Sequence, residues 1–198
     1  MSQVLTADNT IAASLWPEKA ANRWLRAVLL AVFGTVLLWL SAKVKLDIGP
    51  VPVTMQTFVV LGLGAAYGWR LGAATLLLYL AQGAAGLPVF SGTPEKGIGL
   101  AYLMGPTGGY LIGFVLAAAV IGYLAERGLD RNAFKMFAAM LIATAVIYIP
   151  GLAWLATLIG GEKAIQFGLM PFIWGDLIKA ALAAAIFPAL WAMMKRAG

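Results

Sequence analysis

Runs of about 20 mostly apolar residues recur along this chain, and a helix rising about 1.5 Å per residue needs a run of that length to cross a hydrocarbon core of roughly 30 Å. The first is WLRAVLLAVFGTVLLWLSA from Trp24, and short polar or basic turns separate it from its successors. With 62% hydrophobic and only 11% charged residues in 198, and a mean hydropathy of +0.90, the chain has too little polar surface to cover a soluble domain. The pattern predicts an all-α integral membrane protein with six transmembrane helices in one domain.

The second span is VTMQTFVVLGLGAAYGW, entered through the bend IGPVPVT, where Pro50 and Pro52 favour extended backbone. A third begins at Leu71 and ends near Gly86, a fourth ends near Ala125, a fifth covers 134–159 and a sixth 172–194, with Pro188 as a possible kink in its last turns. Residues 1–22 lack the basic start and apolar run of a cleavable signal, and read as a cytoplasmic tail lying on the membrane, with Trp16-Pro17 as an interfacial turn. Residues 23–198 form the membrane domain, with 91–104 as an outer loop too rich in glycine and proline to be helical throughout.

Orientation follows from basic residues at the span ends. With both termini inside, Lys19, Arg23, Arg26, Arg70, Arg127, Arg131, Lys135, Lys195 and Arg196 are cytoplasmic, and Lys43, Lys45, Lys96 and Lys163 lie outside. Both termini are therefore expected in the cytoplasm. The net charge of +6 is dispersed over these turns and does not form a nucleic-acid-binding face. The chain has no cysteine and no histidine, so no thiolate or imidazole chemistry is available, and neither a metal nor a resident cofactor is expected.

Asp176 and Lys179 then stand out, because each lies within the sixth span. An ionisable side chain at bilayer depth costs about 2.5 to 3.5 kcal/mol or more, so such residues usually serve a site or pathway. Three residues apart, they share a helix face and form either a self-neutralising structural pair or two poles of a ligand site. Thr54 and Gln56, the i, i+3 pair Tyr79 and Gln82, Lys96, Thr107 and Tyr110 fall at the same outer level. Each can instead satisfy a neighbouring helix; together they suggest a small outward-facing pocket. The loop 91–104 serves it as a lid, or is an ordinary connector. On the first helix Ala27, Ala31 and Thr35 make a small-xxx-small row for close helix approach, either within the chain or to another membrane subunit.

The runs VPVTMQTFVVLGLGAAYGWRLGAATLLLYLAQGAAGLPVF, GPTGGYLIGF and GDLIKAALAA resemble the BioY family, the biotin-specific S components of energy-coupling-factor (ECF) transporters, from about Arg26 to the C-terminus. The resemblance implies the six-helix S-component fold in a multi-pass protein of the bacterial cytoplasmic membrane. It implies that biotin is captured from outside, with a transmembrane coupling protein and two cytoplasmic ATPases as partners. It places Asp176 and Lys179 in the biotin site, a carboxylate suiting ureido N–H groups and an ammonium the valerate carboxylate, without deciding which meets which end. Gln56 and Gly108-Gly109-Tyr110 match family motifs. Phe90, Tyr79 and Trp174 are expected to cover the ring and alkyl chain, and Lys96 to close over the carboxylate. The loop departs from a shorter, more glycine-rich pattern by the insertion Thr-Pro-Glu-Lys in SGTPEKGIG. The Ala27/Ala31 row resembles an S-component docking surface. No G-x-x-x-x-G-K-[ST] pattern occurs, so ATP hydrolysis is expected of partner subunits. A solitary biotin carrier and, less favoured, an intramembrane enzyme using Asp176 and Lys179 as acid and base are the rival readings.

Overall fold

The computed structural model describes residues 9–16, 23–47 and 49–197. The chain runs through α1 (Ile11–Leu15), α2 (Arg23–Lys43), β1 (Lys45–Leu46), β2 (Val53–Thr54), α3 (Gln56–Tyr67), α4 (Trp69–Ala84), α5 (Gly99–Leu103), α6 (Gly108–Glu126), α7 (Ala133–Ile159), α8 (Gly161–Gly168) and α9 (Ile173–Ala197). The expected interfacial turn at Trp16-Pro17, Lys19 and most of the expected tail lie outside the described residues.

Among the described residues, four helices are long and apolar enough to cross a membrane: Arg23–Lys43, Gly108–Glu126, Ala133–Ile159 and Ile173–Arg196. The second and third expected spans are shorter. Residues 53 and 54 enter an antiparallel ribbon, with Lys45 opposite Thr54 and Leu46 opposite Val53, so α3 starts only at Gln56 and has 12 residues. At about 1.5 Å per residue it is roughly 18 Å long, and α4 roughly 24 Å. The loop 91–104 is irregular apart from α5, as its glycines and prolines predict.

Gly68 makes the tight reversal between α3 and α4. Its φ of +82° is one that a side chain would strain, and a Cβ there would run into the carboxylate of Glu126. That carboxylate accepts from the Trp69 backbone N–H at 3.1 Å, satisfying one of the unpaired donors at the start of α4. At the same end of the bundle, Asn132 caps α7 by accepting from the Lys135 N–H at 3.1 Å. Asp130, fully buried in the α6–α7 turn, accepts from the Trp191 indole at 2.5 Å and so ties that turn to the end of α9. Burial pushes its carboxyl above the usual carboxylate range.

Helix α6 is the hub, packed against α3, α4 and α7. Small residues permit this. A Cβ on Gly64 of α3 would lie 2.6 Å from the Ala118 carbonyl oxygen, and one on Gly113 of α6 would lie 2.6 Å from that of Ile147. On the other flank, Ala27 and Ala31 of α2 are buried in the core at 6% and 9% exposure. Their row is consumed by packing inside the chain. In this conformation both alanines are covered by the chain itself. Next to them Gly34 comes against Thr75 and Tyr67 of α4 and α3.

The contact at Gly113 is backbone on both sides, so Gly113→Ala must push α6 and α7 apart. We expect it to cost about 1–3 kcal/mol, as overpacking does. By contrast, Gly62→Ala meets its nearest atom, the tip of the Phe187 ring, at an ordinary 4.0 Å, and is expected to be neutral. Thermal unfolding of both variants in detergent checks the contrast.

Candidate functional site

Helix α9 begins beside the start of α3 and carries Asp176 in its first turn and Lys179 one turn further on. Both are buried, at 6% and 8% exposure. The Lys179 ammonium donates to Asp176 Oδ1 at 3.2 Å, to the Thr54 carbonyl at 2.9 Å and to Thr57 Oγ1 at 2.7 Å. Three N–H donors meet three acceptors, so the cation is fully used. Thr57 accepts from Lys179 and donates to Asp176 Oδ1 at 3.4 Å. The Tyr148 hydroxyl of α7 donates to the other oxygen, Oδ2. Three helices thus contribute to holding one carboxylate.

Asp176 stands in the wall of a cleft of about 570 Å³, counted to its open mouth. Its surface is mostly apolar, from Val51, Pro52, Leu111, Phe114, Ile147 and Phe172, with polar groups from Thr54, Gln56, Thr57, Ser91, Thr107, Tyr110, Thr144 and Tyr148. Gln56 is oriented from behind: its Nε2 donates to the Tyr79 hydroxyl at 2.7 Å, which in turn donates to the Val89 carbonyl at 2.8 Å. The Tyr110 hydroxyl donates to the Gly168 carbonyl at 2.8 Å, fixing its ring beside Phe172. Tyr102 of α5 closes another side, donating to the Ser91 carbonyl at 2.6 Å, and burial pushes its phenol above the usual range.

The expected residues separate into groups. Thr54, Gln56, Tyr110 and Asp176 line the cleft. Lys179 stands behind Asp176 and Thr57. Tyr79 and Phe90 are buried behind the wall, Phe90 stacked on Tyr102 at 4.9 Å and edge-on to Tyr79 at 5.4 Å. Gly108 and Gly109 do not line the cleft. A Cβ on either would overlap the carbonyl oxygen of Leu103 or Pro150, so they let α6 approach its neighbours and bring Tyr110 into place.

Three residues lie elsewhere. Gln82 turns toward α2 and donates to Thr35 Oγ1 at 3.3 Å. Lys96 pairs with Asp47 at 2.9 Å on the exposed surface. Trp174 is 76% exposed, because two helical residues before Asp176 is about 200° around the axis. As placed, these three do not line the cleft. Thr57, Tyr102, Tyr148 and Phe172 were missed by sequence reasoning. Tyr148 left a signal, since a phenol in the middle of an apolar span needs a hydrogen-bond partner.

The BioY family model matches residues 10–196. The chain belongs to the BioY family. Among its relatives, the biotin transporter BioY of Thermotoga maritima is 40% identical over 164 residues, covering 82% of this chain and 94% of that one. The probable biotin transporter BioY of Pyrococcus horikoshii is 39% identical over 158 residues, covering 80% and 91%. Among solved structures, the S component for biotin from an ECF-type ABC transporter matches with a TM-score of 0.75 at 26% identity, covering 88% of this chain and 95% of that one. Within this BioY-family fold the polar cluster around Asp176 is built by helices α3, α7 and α9.

Removing one member of a buried ion pair costs about 3–5 kcal/mol, whereas replacing both by neutral groups of similar size is often nearly neutral. Lys179→Ala is therefore expected to lower the unfolding temperature strongly. The double variant Asp176→Asn with Lys179→Met should recover most of that loss, as read by thermal unfolding of the unliganded chain.

Proposed function

We propose that this protein is the membrane-embedded biotin-binding subunit of a vitamin-uptake transporter, taking biotin into the cleft beside Asp176. The observation that carries this reading is a mostly apolar cleft with a single, fully braced carboxylate in its wall, in a member of the BioY family. Biotin combines an apolar bicyclic ring and alkyl chain with one compact polar ureido group. The apolar wall suits the former and the Asp176 carboxylate accepts from the N–H groups of the latter.

Lys179 acts through Asp176 in this reading. Its three donors are used internally, and no lysine or arginine lines the cleft among the described residues. Lys179 keeps the carboxylate aimed, and Tyr148 and Thr57 complete its hydrogen bonds. No donor among the described residues meets Gln56 Oε1, which leaves that amide oxygen as a second acceptor for a ligand N–H.

The finer picture is also proposed. Helices α3 and α4, with the ribbon β1–β2 and the turns at their ends, complete a six-segment bundle with both termini in the cytoplasm of a bacterium. The cleft then opens at the outer face. A coupling protein and two ATPases supply the driving force, as the S-component likeness suggests, with the solitary carrier as the rival. A catalytic role has no counterpart in a family of transporters.

Equilibrium binding of labelled biotin to the detergent-purified chain tests the reading. Saturable one-to-one binding is expected in the wild type, with at least tenfold weaker binding in Asp176→Asn, since a charge-assisted hydrogen bond contributes about 1.5–3 kcal/mol. A folded wild type that binds no biotin overturns the assignment. For partner dependence, uptake by intact cells should fall to background when ATP is depleted; uptake that persists supports the solitary carrier.

A further inference from the structure

One cation outside the Asp176 cluster has an unusual set of partners. Lys43, in the last turn of α2, directs its ammonium at the segment between α4 and α5. It donates to the carbonyl oxygens of Pro88 at 3.1 Å, Phe90 at 3.2 Å and Thr93 at 3.2 Å, and lies 3.3 Å from Thr93 Oγ1. No carboxylate pairs with it among the described residues. A lysine at a helix C-terminus ordinarily points to solvent or to its own helix's carbonyls; this one grips a segment 45 to 50 residues away in sequence.

What Lys43 grips is the back of the ligand cleft. Phe90, whose carbonyl it holds, is 1% exposed and stacks on Tyr102. Ser91, the next residue, lines the cleft together with Tyr102, and the Tyr102 hydroxyl donates to the Ser91 carbonyl. Val89, just before, accepts from Tyr79, which orients Gln56. Three separate contributors to the cleft therefore hang from the short segment that one ammonium fixes. A second tie between the same regions exists, since Asp47 pairs with both Lys45 and Lys96 at 2.8 and 2.9 Å. Its groups are 28% to 45% exposed, and pairs of that kind contribute little and are screened by salt; Lys43 is exposed too, and what sets it apart is the number of acceptors its ammonium meets. The hydrogen bonds of Lys43 to three carbonyls are charge-assisted and less dependent on a single geometry.

We propose that Lys43 is a positioning residue for ligand retention: it clamps residues 88–93 so that Ser91, Tyr102 and Gln56 face the cleft, and its loss frees that wall. The inference rests on the biotin reading for its ligand, but the clamp itself does not. Loosening the wall eases both entry and exit, so association and dissociation rates should rise together, with dissociation rising more.

The experiment uses the full chain with Lys43→Met, Lys43→Arg and, for comparison, Asp47→Asn. The chain has no cysteine, so a nitroxide on Glu95→Cys, an exposed position, reports loop motion without any ligand. Stopped-flow binding of fluorescent biotin reports both rates. Expected are a more mobile label and about tenfold faster release in Lys43→Met, an intermediate result in Lys43→Arg, and a smaller effect in Asp47→Asn that vanishes at high salt. Should the methionine variant not yield folded protein, Lys43→Gln carries the same comparison. Unchanged label mobility and unchanged release in Lys43→Met overturn the proposal. A label that loosens in a chain whose wild type binds no biotin leaves the clamp standing and overturns the ligand assignment instead.

Discussion

A carboxylate taken out of water into a helix bundle must be answered by donors, and the packing around this site follows from that requirement. Asp176 draws Lys179 from its own helix, Thr57 from α3 and Tyr148 from α7. Those three contributions fix how α9 sits against its neighbours at this end of the bundle. The ammonium meets the same demand by reaching back to the Thr54 carbonyl, which the ribbon leaves available just before α3 begins. Because the pair is closed on itself, the carboxylate reaches the cleft already aimed.

The glycines do the complementary work. At Gly64, Gly113 and Gly151 a neighbour occupies the space a side chain would fill, and the helices approach closely there. Gly151 illustrates the link to the site, since the Tyr110 ring rests against its backbone and is thereby directed at the Gly168 carbonyl. Close helix approach, which in lipid must come from packing and hydrogen bonding without a hydrophobic drive, is thus also what places a cleft residue.

Much of this was legible from residue type and spacing. The long spans were readable because lipid demands uninterrupted apolar helix, and Asp176 and Lys179 because charge inside such a span is costly. Gln56 and Thr54 were readable as polar groups at the same level. What could not be read was direction. Trp174 and Asp176 lie two residues apart and so face nearly opposite ways on the helix, but only the packed bundle shows which of the two faces inward. Gln82 and Lys96 were at the right height but were claimed by Thr35 and Asp47, and the small row on α2 was claimed by the chain's own core. The start of α3 was misjudged because a two-residue ribbon took Val53 and Thr54, a pairing between residues seven and nine apart that no helical periodicity reveals.

The brevity of α3 has a physical consequence beyond the site. In the six-segment bundle proposed above, a helix of roughly 18 Å in a hydrocarbon layer of roughly 30 Å would leave a mismatch that the bilayer relieves by thinning, or the bundle by tilting, at a cost of fractions of a kcal/mol per ångström. The end of α3 that begins this short path is the end that holds Gln56 and Thr57. In that arrangement membrane thickness would act on the same helix that braces the carboxylate, and the lipid composition of the host bilayer would become a variable of binding in its own right.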